Sequence, residues 1–364
     1  MTIWELDTPA LLIDLDRMEA NLERAAKYAE GHGLRLRPHT KTHKSPYLGR
    51  RQVEHGAAGL TVAKVSEAEV MAADGLGDLL LAYPVWGDAK WSRLTEIAKT
   101  APIAVALDSE EPASGLSRHA VRTGLTIGIL AEVDLGMRRC GFPPGQRFRD
   151  FTRAVDRMPG LKLEGLMFYP GHVNLAAPNG EEELEAVAAG LAEALDGFRQ
   201  DGLSTSVVSG GSTPTLYHSH RVPGMTEIRP GTYVFNDRSQ VAMGACSWND
   251  CAATIMTTVV SRPSPGSAVI DGGSKTFTSD PVRPQEPGFG SIVGMSAVRF
   301  EKMSEEHGVL DLGDHQARPP QIGERLRIVP NHVCVTVNMH STAHGIRGER
   351  VERSWPVKGR GKLH

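Results

Sequence analysis

Short, continuously apolar segments recur along the first two-thirds of the chain and predict buried strands. They begin near Ala10, Leu34, Gly59, Asp78, Pro102, Thr126, Leu163 and Thr205. Helical patterns lie between them; Leu184, Val187 and Leu191, for example, fall on one helical face. Apolar strands that alternate with helices are typical of parallel sheets covered by helices. These eight units predict an α/β fold, a (β/α)8 TIM-type barrel, with a doubly wound open sheet as the alternative.

Beyond about residue 245 the pattern changes to short runs rich in β-branched residues, separated by turns that contain proline and glycine. Examples are CAATIMTTVVSRP, SAVIDGG and RLRIVPNHVCVTVN. No helical pattern interrupts them, which predicts a C-terminal all-β domain. We therefore expect residues 8–245 to form the barrel, and residues 246–364, together with residues 1–7, to form the β domain.

Composition and charge narrow the classes of function. The chain has 364 residues and a net charge of −3 at pH 7, whereas non-specific nucleic-acid binders carry a basic excess. No apolar run approaches the roughly 20 residues of a membrane span, and the N-terminus lacks a basic leader followed by an apolar core. We therefore expect no nucleic-acid or membrane partner, a cytoplasmic location and reduced cysteines.

The segment RPHTKTHK follows the second predicted strand and concentrates basic residues. If the strand continues, alternation places Leu36 and Pro38 on one face and the side chains of His39 and Lys41 on the other, toward the barrel mouth. Active sites of such barrels lie at the C-terminal ends of the strands. A partly desolvated lysine there can form a Schiff base, so Lys41, and not Lys44 of opposite parity, is the candidate. A basic patch on a surface loop is the alternative.

Other predicted strand ends carry further candidate residues. EVDLGMRRCG offers Arg138 and Arg139 for an anionic oxygen, and YPGHVN offers Tyr169 and His172. Two small-residue segments, SGGSTPT and EIRPGTYVFND, let backbone N–H groups approach a phosphate. Their candidate donors are Gly211, Ser212, Thr213, Gly231, Thr232 and Tyr233. Plain turns and a surface arginine pair are the alternatives.

His332 and Cys334 stand two residues apart in PNHVCVTVN. On a strand their side chains would share one face. An imidazole and a thiolate suit a zinc-like ion, and only two protein ligands would leave positions for water or substrate, as in a catalytic site. A structural histidine beside a buried cysteine is the alternative.

RPHTKTHK, DLGMRRCGF, YPGH, SGGSTPT, RPGTYVFND and PNHVCVTVN occur together, in this order, in one group of enzymes. From about Asp7 onwards the chain resembles the D-threonine aldolase and D-serine dehydratase family, fold-type III pyridoxal-phosphate enzymes with an alanine-racemase-like barrel. The resemblance implies that Lys41 carries pyridoxal 5'-phosphate, and that His332 and Cys334 ligate a divalent metal, which would be zinc, manganese or magnesium. It also implies a homodimer. The remaining predicted cofactor contacts are His39, Arg139, Tyr169, Gly211, Ser212, Thr213, Gly231, Thr232 and Tyr233.

The implied reaction is that of a lyase acting on a small β-hydroxy-D-amino acid. The preferred form is D-threonine aldolase-type cleavage to glycine and an aldehyde, with His172 as the base, because DGGSKTFTSD with Lys275 resembles an aldolase segment. D-serine or 3-hydroxy-D-aspartate dehydration to a keto acid and ammonia is the alternative, because Cys334 resembles the dehydratases.

Three further alternatives remain. A metal-free racemase would have no use for the His332 and Cys334 pair. A non-enzymatic carrier of the cofactor would lack the C-terminal β domain. A barrel without a cofactor would use RPHTKTHK to bind an acidic ligand.

Overall fold

The strands and helices follow the hydrophobic pattern along most of the chain. The computed structural model describes residues 1–282, 286–313 and 318–364. The strands, numbered in chain order, are β1 Ala10–Asp14, β2 Arg35–Leu36, β3 Leu60–Val62, β4 Leu79–Leu81, β5 Ile103–Leu107, β6 Ile127–Glu132, β7 Leu161–Met167, β8 Val207–Gly210, β9 Glu227–Ile228, β10 Ala253–Ser264, β11 Ser267–Ile270, β12 Gly290–Ile292, β13 Arg299–Met303, β14 Gly308–Asp311, β15 Arg325–Pro330, β16 Thr342–Arg347 and β17 Arg350–Pro356. The helices are α1 Leu15–Gly31, α2 Pro46–Glu54, α3 Val65–Ala73, α4 Asp88–Ala98, α5 Glu110–Thr123, α6 Gln146–Asp156, α7 Gly180–Gln200, α8 Arg238–Ala242 and α9 Val333–Met339.

One compact unit, the barrel unit, contains a parallel sheet in the order β2-β9-β8-β7-β6-β5-β4-β3. It comprises Glu23–Lys41, Ser45–Gly231 and Lys362–His364. The sheet closes where the segment after β2 meets β3: His39 and Thr61 form a parallel bridge, and Thr61 N donates to Pro38 O at 2.8 Å. The predicted eight-stranded barrel is thereby confirmed.

One strand of the barrel differs from the prediction. The apolar run at Ala10 forms β1, which belongs to the other sheet, and the place in the barrel is taken by β9. Leu11, Leu12 and Ile13 are buried on both faces of β1, so the run has the continuous apolar pattern of a barrel strand. The two residues of β9, Glu227 and Ile228, are too few to show a period.

The second compact unit, the β unit, comprises Met1–Leu22, Thr42–Lys44 and Thr232–Gly361. Its sheet has the order β11-β14-β13-β12-β15-β10-β1-β16-β17, in which β1 pairs antiparallel with β10 and parallel with β16. A buried cluster packs around this junction and consists of Ile3, Leu6, Ala10, Leu12, Met256 and Ile346. The N-terminal segment of this unit extends beyond residue 8 because β1 pairs with strands of the β unit.

The predicted absence of helix from the β domain is wrong, since α9 follows β15. The sequence reading also missed β16, which lies between α9 and β17. No helix within the part of the chain that the structure describes combines the length and the apolar character needed to cross a bilayer.

Candidate active site

Lys41 lies in a single turn of 3-10 helix, Thr40–Thr42, since β2 already ends at Leu36. The strand-parity argument for its direction therefore does not apply. Its Nζ stands 5.7 Å from the centre of the Tyr169 ring, and the amino group has no hydrogen bond or ion pair with any described residue. The buried His39 accepts a 3.4 Å hydrogen bond at Nδ1 from Lys41 N. Lys41 thus presents a partly exposed, unpaired amine.

Arg139 reaches the same aromatic ring from the loop after β6. Its guanidinium carbon lies 4.9 Å from the centre of the Tyr169 ring. The loop is shaped by Asp134, whose Oδ1 accepts hydrogen bonds from the backbone N–H groups of Gly136 and Arg138, each at 3.0 Å. Arg138 itself adopts a left-handed φ of 54°. The turn therefore brings Arg139, rather than its neighbour, to the tyrosine.

His172 is half-buried in the loop after β7. Its Nδ1 is buried and has no hydrogen-bond partner among the described residues. The ring packs on Gly136, where an added Cβ would lie 2.9 Å from His172 Nε2, and Gly136 has a φ of 117°. The φ angle favours glycine at this position, and the missing Cβ lets the imidazole pack closely against the backbone.

Glu132 and Arg229 are buried charged residues that the sequence reading missed. Burial raises the pKa of Glu132 to about 7, although nearby Arg229 lowers it. Arg229 Nη2 donates to Phe168 O at 2.6 Å, while Arg229 Nε and Glu132 Oε2 have no hydrogen-bond partner among the described residues. Their positions in the sequence could have indicated them. Glu132 is the last residue of β6 and Arg229 directly follows β9, so each is a charged residue at the end of an apolar run.

The predicted phosphate-binding turn after β8 is ordered by its own side chains. Ser212 N donates to Thr215 Oγ1 at 3.1 Å, and the two hydroxyl oxygens lie 3.0 Å apart. Ser212 and Thr213 are buried, and Gly211 takes a φ of 82° that only glycine adopts readily. The N–H of Ser212 is thus already bonded within the turn.

The second predicted phosphate segment is divided between the two units. Gly231 ends a part of the barrel unit, whereas Thr232 and Tyr233 belong to the β unit. There they form a 3-10 turn, Thr232–Val234. Gly231, Thr232 and Tyr233 therefore remain candidate phosphate contacts, Gly231 in the barrel unit and the other two in the β unit.

His332 and Cys334 lie at the start of α9, so their predicted placement on one strand is wrong. Strand β15 ends at Pro330, and His332 is the residue that caps α9. The two side chains are nevertheless in contact. Burial lowers the pKa of His332, but the hydrogen bond with Cys334, together with the charges of Cys334 and Asp237, raises it to about 9.

Two threonine hydroxyls of the β unit face the thiol. Cys334 Sγ lies 3.2 Å from Thr42 Oγ1 and 3.7 Å from Thr232 Oγ1. Across residues 1–282, 286–313 and 318–364, no three His, Cys, Asp or Glu side chains converge in a way that could hold a metal ion. A metal here would have two protein ligands, and the imidazole and thiolate donors fit a zinc-like ion whose other positions belong to water or substrate.

The barrel residues also fit an anionic aldehyde cofactor. Lys41 offers an unpaired amine. Arg229 Nε and Glu132 Oε2 are a buried donor and a buried acceptor that no described residue satisfies, and such groups usually have partners. Arg139 adds a positive charge beside the Tyr169 ring.

Comparisons with known proteins agree with this architecture. A family model described as the alanine racemase N-terminal domain matches residues 13–239. A second, described as a putative serine dehydratase domain, matches residues 252–346. Together these matches cover strands of both units.

Relatives match over nearly the whole chain. A 3-hydroxy-D-aspartate aldolase of Paracoccus denitrificans is 34% identical over 98% of this chain and 93% of its own length. A D-threo-3-hydroxyaspartate dehydratase of a Delftia species is 31% identical over 97% of this chain and 98% of its own length. The crystal structure of a D-threonine aldolase from Filomicrobium marinum has a TM-score of 0.93 at 33% identity, over 99% of this chain and 98% of the other.

The matching domains and the shared fold define a fold-type III, alanine-racemase-like enzyme. The chain belongs to the D-threonine aldolase and D-serine dehydratase family, which confirms the resemblance. Its relatives are aldolases and dehydratases, both of them lyases, so the predicted enzyme class is confirmed.

Proposed function

We propose that this protein is a lyase dependent on pyridoxal phosphate and a divalent metal, which cleaves β-hydroxy-D-amino acids to glycine and an aldehyde. The observation that carries the proposal is the unpaired Lys41 amine above the Tyr169 ring. Relatives named for D-threonine and 3-hydroxy-D-aspartate aldolase activity, which align with almost the entire chain, support the substrate class.

Lys41 is the proposed point of covalent attachment for pyridoxal phosphate, within a barrel domain of residues 8–245. When bound, the cofactor supplies an electron sink for the bond that breaks. Tyr169 lies beside the amine and Arg139 beside the Tyr169 ring, and both would orient the cofactor's ring. The proposed remaining contacts are His39, Gly211, Ser212, Thr213, Gly231, Thr232 and Tyr233.

His332 and Cys334 are the proposed metal ligands, in a β domain of residues 246–364 with residues 1–7. A bound divalent ion supplies Lewis acidity toward the substrate's β-hydroxyl. Zinc suits the thiolate and imidazole best, and manganese and magnesium are the alternatives. Thr42, which follows Lys41 in the chain, contacts the thiol of Cys334.

His172 is the proposed base. Its buried Nδ1 has no hydrogen-bond partner among the described residues, so none of their side chains competes for this nitrogen. Removal of the β-hydroxyl proton lets the oxygen form a carbonyl as the Cα–Cβ bond breaks, and the aldehyde departs. Protonation of the remaining carbon yields glycine. The packing of His172 on Gly136 would keep the base in one position.

Dehydration is a second candidate, favoured by the thiol at residue 334 and by the dehydratase relative. Lys41 would then remove the Cα proton, and the β-hydroxyl would leave as water. The enamine product would tautomerise to an imine, and hydrolysis of that imine by water would give a keto acid and ammonia. The aldolase-like segment offers little against it. Lys275 of that segment is exposed and forms ion pairs with Glu305 and Glu306 at 2.8 and 2.9 Å, which are ordinary surface contacts.

We also propose that the protein is a cytoplasmic homodimer. The thiol state of all four cysteines supports a reducing compartment. Resemblance to a family of homodimers supports the dimer. Analytical ultracentrifugation would test it, and we expect a single species of about 79 kDa, twice the 39.3 kDa of the chain. A species of 39.3 kDa would contradict the dimer.

The test of the proposed function is enantiomer-specific turnover. The protein, loaded with pyridoxal phosphate and Zn²⁺ or Mn²⁺, is incubated separately with the D and L forms of threonine, serine and 3-hydroxyaspartate. Consumption of D forms only, with a carbonyl product, is expected, and Lys41→Ala is the inactive control. Equal consumption of L forms, or interconversion of enantiomers without a carbonyl product, would overturn the proposal.

A further inference from the structure

Asp237 is a fully buried carboxylate of the β unit that none of the proposed steps uses. Its exposed fraction is 0%. Oδ1 accepts a hydrogen bond from Gln240 N at 2.9 Å, which caps the start of α8. Oδ2 accepts one from Val333 N, also at 2.9 Å. A single carboxylate therefore joins the first turns of two short helices.

The backbone that Asp237 holds lies between the two proposed metal ligands. Val333 separates His332 from Cys334 in the chain, and its N–H is the group bonded to Oδ2. The same oxygen lies 3.9 Å from His332 Nδ1. One atom thus faces both the backbone between the ligands and a ring nitrogen of one of them.

The residues that follow Asp237 hold the chain just before His332. Ser239 donates from its backbone N and its Oγ to Asn331 O, at 3.1 and 2.7 Å. Arg238 Nη1 donates to Asn331 Oδ1 at 3.1 Å. The start of α8 therefore fixes residues 331–333, and Asp237 brings a carboxylate to that contact.

We propose that Asp237 is a positioning residue for the metal. Oδ2 fixes the peptide between His332 and Cys334 through Val333 N and places a carboxylate 3.9 Å from His332 Nδ1, which favours ligation of the cation by the other ring nitrogen. A carboxylate that faces a ligating histidine also strengthens it as a donor, and loss of such a partner typically lowers metal affinity by about 10–100-fold. The inference rests on the metal site of the proposed function.

The experiment titrates the intact protein, loaded with pyridoxal phosphate, with Co²⁺ against a competing chelator. A thiolate-to-cobalt absorbance band reports whether Cys334 ligates the ion. Asp237→Asn should raise the Kd for Co²⁺ by about 10–100-fold and leave the cofactor absorbance unchanged. Asp237→Ser should do the same, because serine can still cap α8 but carries no charge and is too short to replace the bond to Val333.

Asp250→Asn is the matched control. Asp250 also caps a turn of the β unit, accepting hydrogen bonds from Ser247 N and Oγ, both at 2.7 Å, and its loss should leave the Kd for Co²⁺ unchanged. A lower melting temperature with a wild-type Kd in both Asp237 variants would make this residue a cap alone and overturn the inference. A wild-type protein without the thiolate–cobalt band would contradict the metal site itself, and the role of Asp237 with it.

Discussion

At the scale of single residues, the availability of Lys41 follows from what surrounds it. Lys27 lies on α1 and Lys99 directly follows α4; they pair with Glu23 and Glu96, at 2.6 and 2.7 Å. Lys41 has an aromatic ring beside it and no carboxylate partner among the described residues. An amine without an ion pair is not held by a carboxylate and can approach the aldehyde with which it condenses.

Lys41→Ala should abolish the visible absorbance of bound pyridoxal phosphate, because the Schiff base requires this amine. Lys44→Ala should retain it, since Lys44 belongs to the β unit and lies buried at a left-handed φ of 49°. Absorbance spectra after removal of free cofactor give the measurement, with melting temperatures as a check on folding. The reverse pattern, with the band lost only in Lys44→Ala, would show that the wrong lysine is assigned.

Glu132→Gln should change how stability depends on pH. The folded-state pKa of Glu132 is raised from 4.5 to about 7, so folding takes up a proton in this interval and the wild type loses unfolding free energy as pH rises through it. The glutamine variant has no titrating group at this position and should not lose unfolding free energy in this way. The loss in the wild type is at most about 3 kcal/mol. Denaturant unfolding of both proteins at several pH values is the measurement.

At a pH below the unfolded-state pKa of Glu132, the glutamate and the glutamine are both neutral. The difference in unfolding free energy between the two proteins at low pH therefore serves as the control. Two curves that stay parallel from pH about 4 to about 8 would contradict the raised pKa of Glu132.

The sequence alone proposed Lys41, Arg139 and Tyr169, whose motifs stand at strand ends. It did not identify Glu132 or Arg229, because a single charge in an apolar run shows no partner until the strands are placed side by side. Asp237 was also missed, since its contacts with residues 332 and 333 join segments about 95 residues apart.

At the scale of elements, the local pattern predicted the wrong kind of element for the proposed metal ligands. His332 and Cys334 were expected on a strand because β-branched residues surround them. Hydrogen bonds to the backbone at residues 331 and 333 hold the chain where α9 begins, and these bonds override the local preference. The side chains of His332 and Cys334 are therefore brought together at the N-terminus of α9.

Leu12→Ala should destabilise the β unit, although residue 12 lies in the N-terminal segment. Leu12 is fully buried in β1, between β10 and β16, so its truncation should cost about 2–5 kcal/mol. Hydrogen exchange should accelerate in β10 and β16. Leu107→Ala in β5 is the matched control, which should accelerate exchange in β4 and β6; the same response to both variants would contradict the strand order.

At the scale of the whole molecule, the chain assigns its candidate chemistry to two units. Lys41, Arg139, Tyr169 and His172 belong to the barrel unit, and His332 and Cys334 to the β unit. The sequence predicted two such regions, and it missed that β1 belongs to the sheet of the β unit, because a strand buried on both faces has the same pattern in either sheet. The proposed reaction needs both units.

Removal of the metal should separate the contribution of the metal from that of pyridoxal phosphate. Excess chelator should abolish turnover, because the substrate hydroxyl loses its Lewis acid, while the cofactor absorbance that depends on Lys41 remains. Activity and spectra are read on one sample, and added Zn²⁺ or Mn²⁺ should restore turnover. Full activity in excess chelator would remove His332 and Cys334 from the mechanism.

The central claim is that the Cα–Cβ bond of a β-hydroxy-D-amino acid is broken. Proton NMR of a reaction with D-threonine, carried out with the protein loaded with pyridoxal phosphate and metal, tests it most directly. Glycine and acetaldehyde should appear in equal amounts, with L-threonine untouched and no product from Lys41→Ala. A four-carbon keto acid with ammonia, or D-threonine that remains intact, would contradict the account.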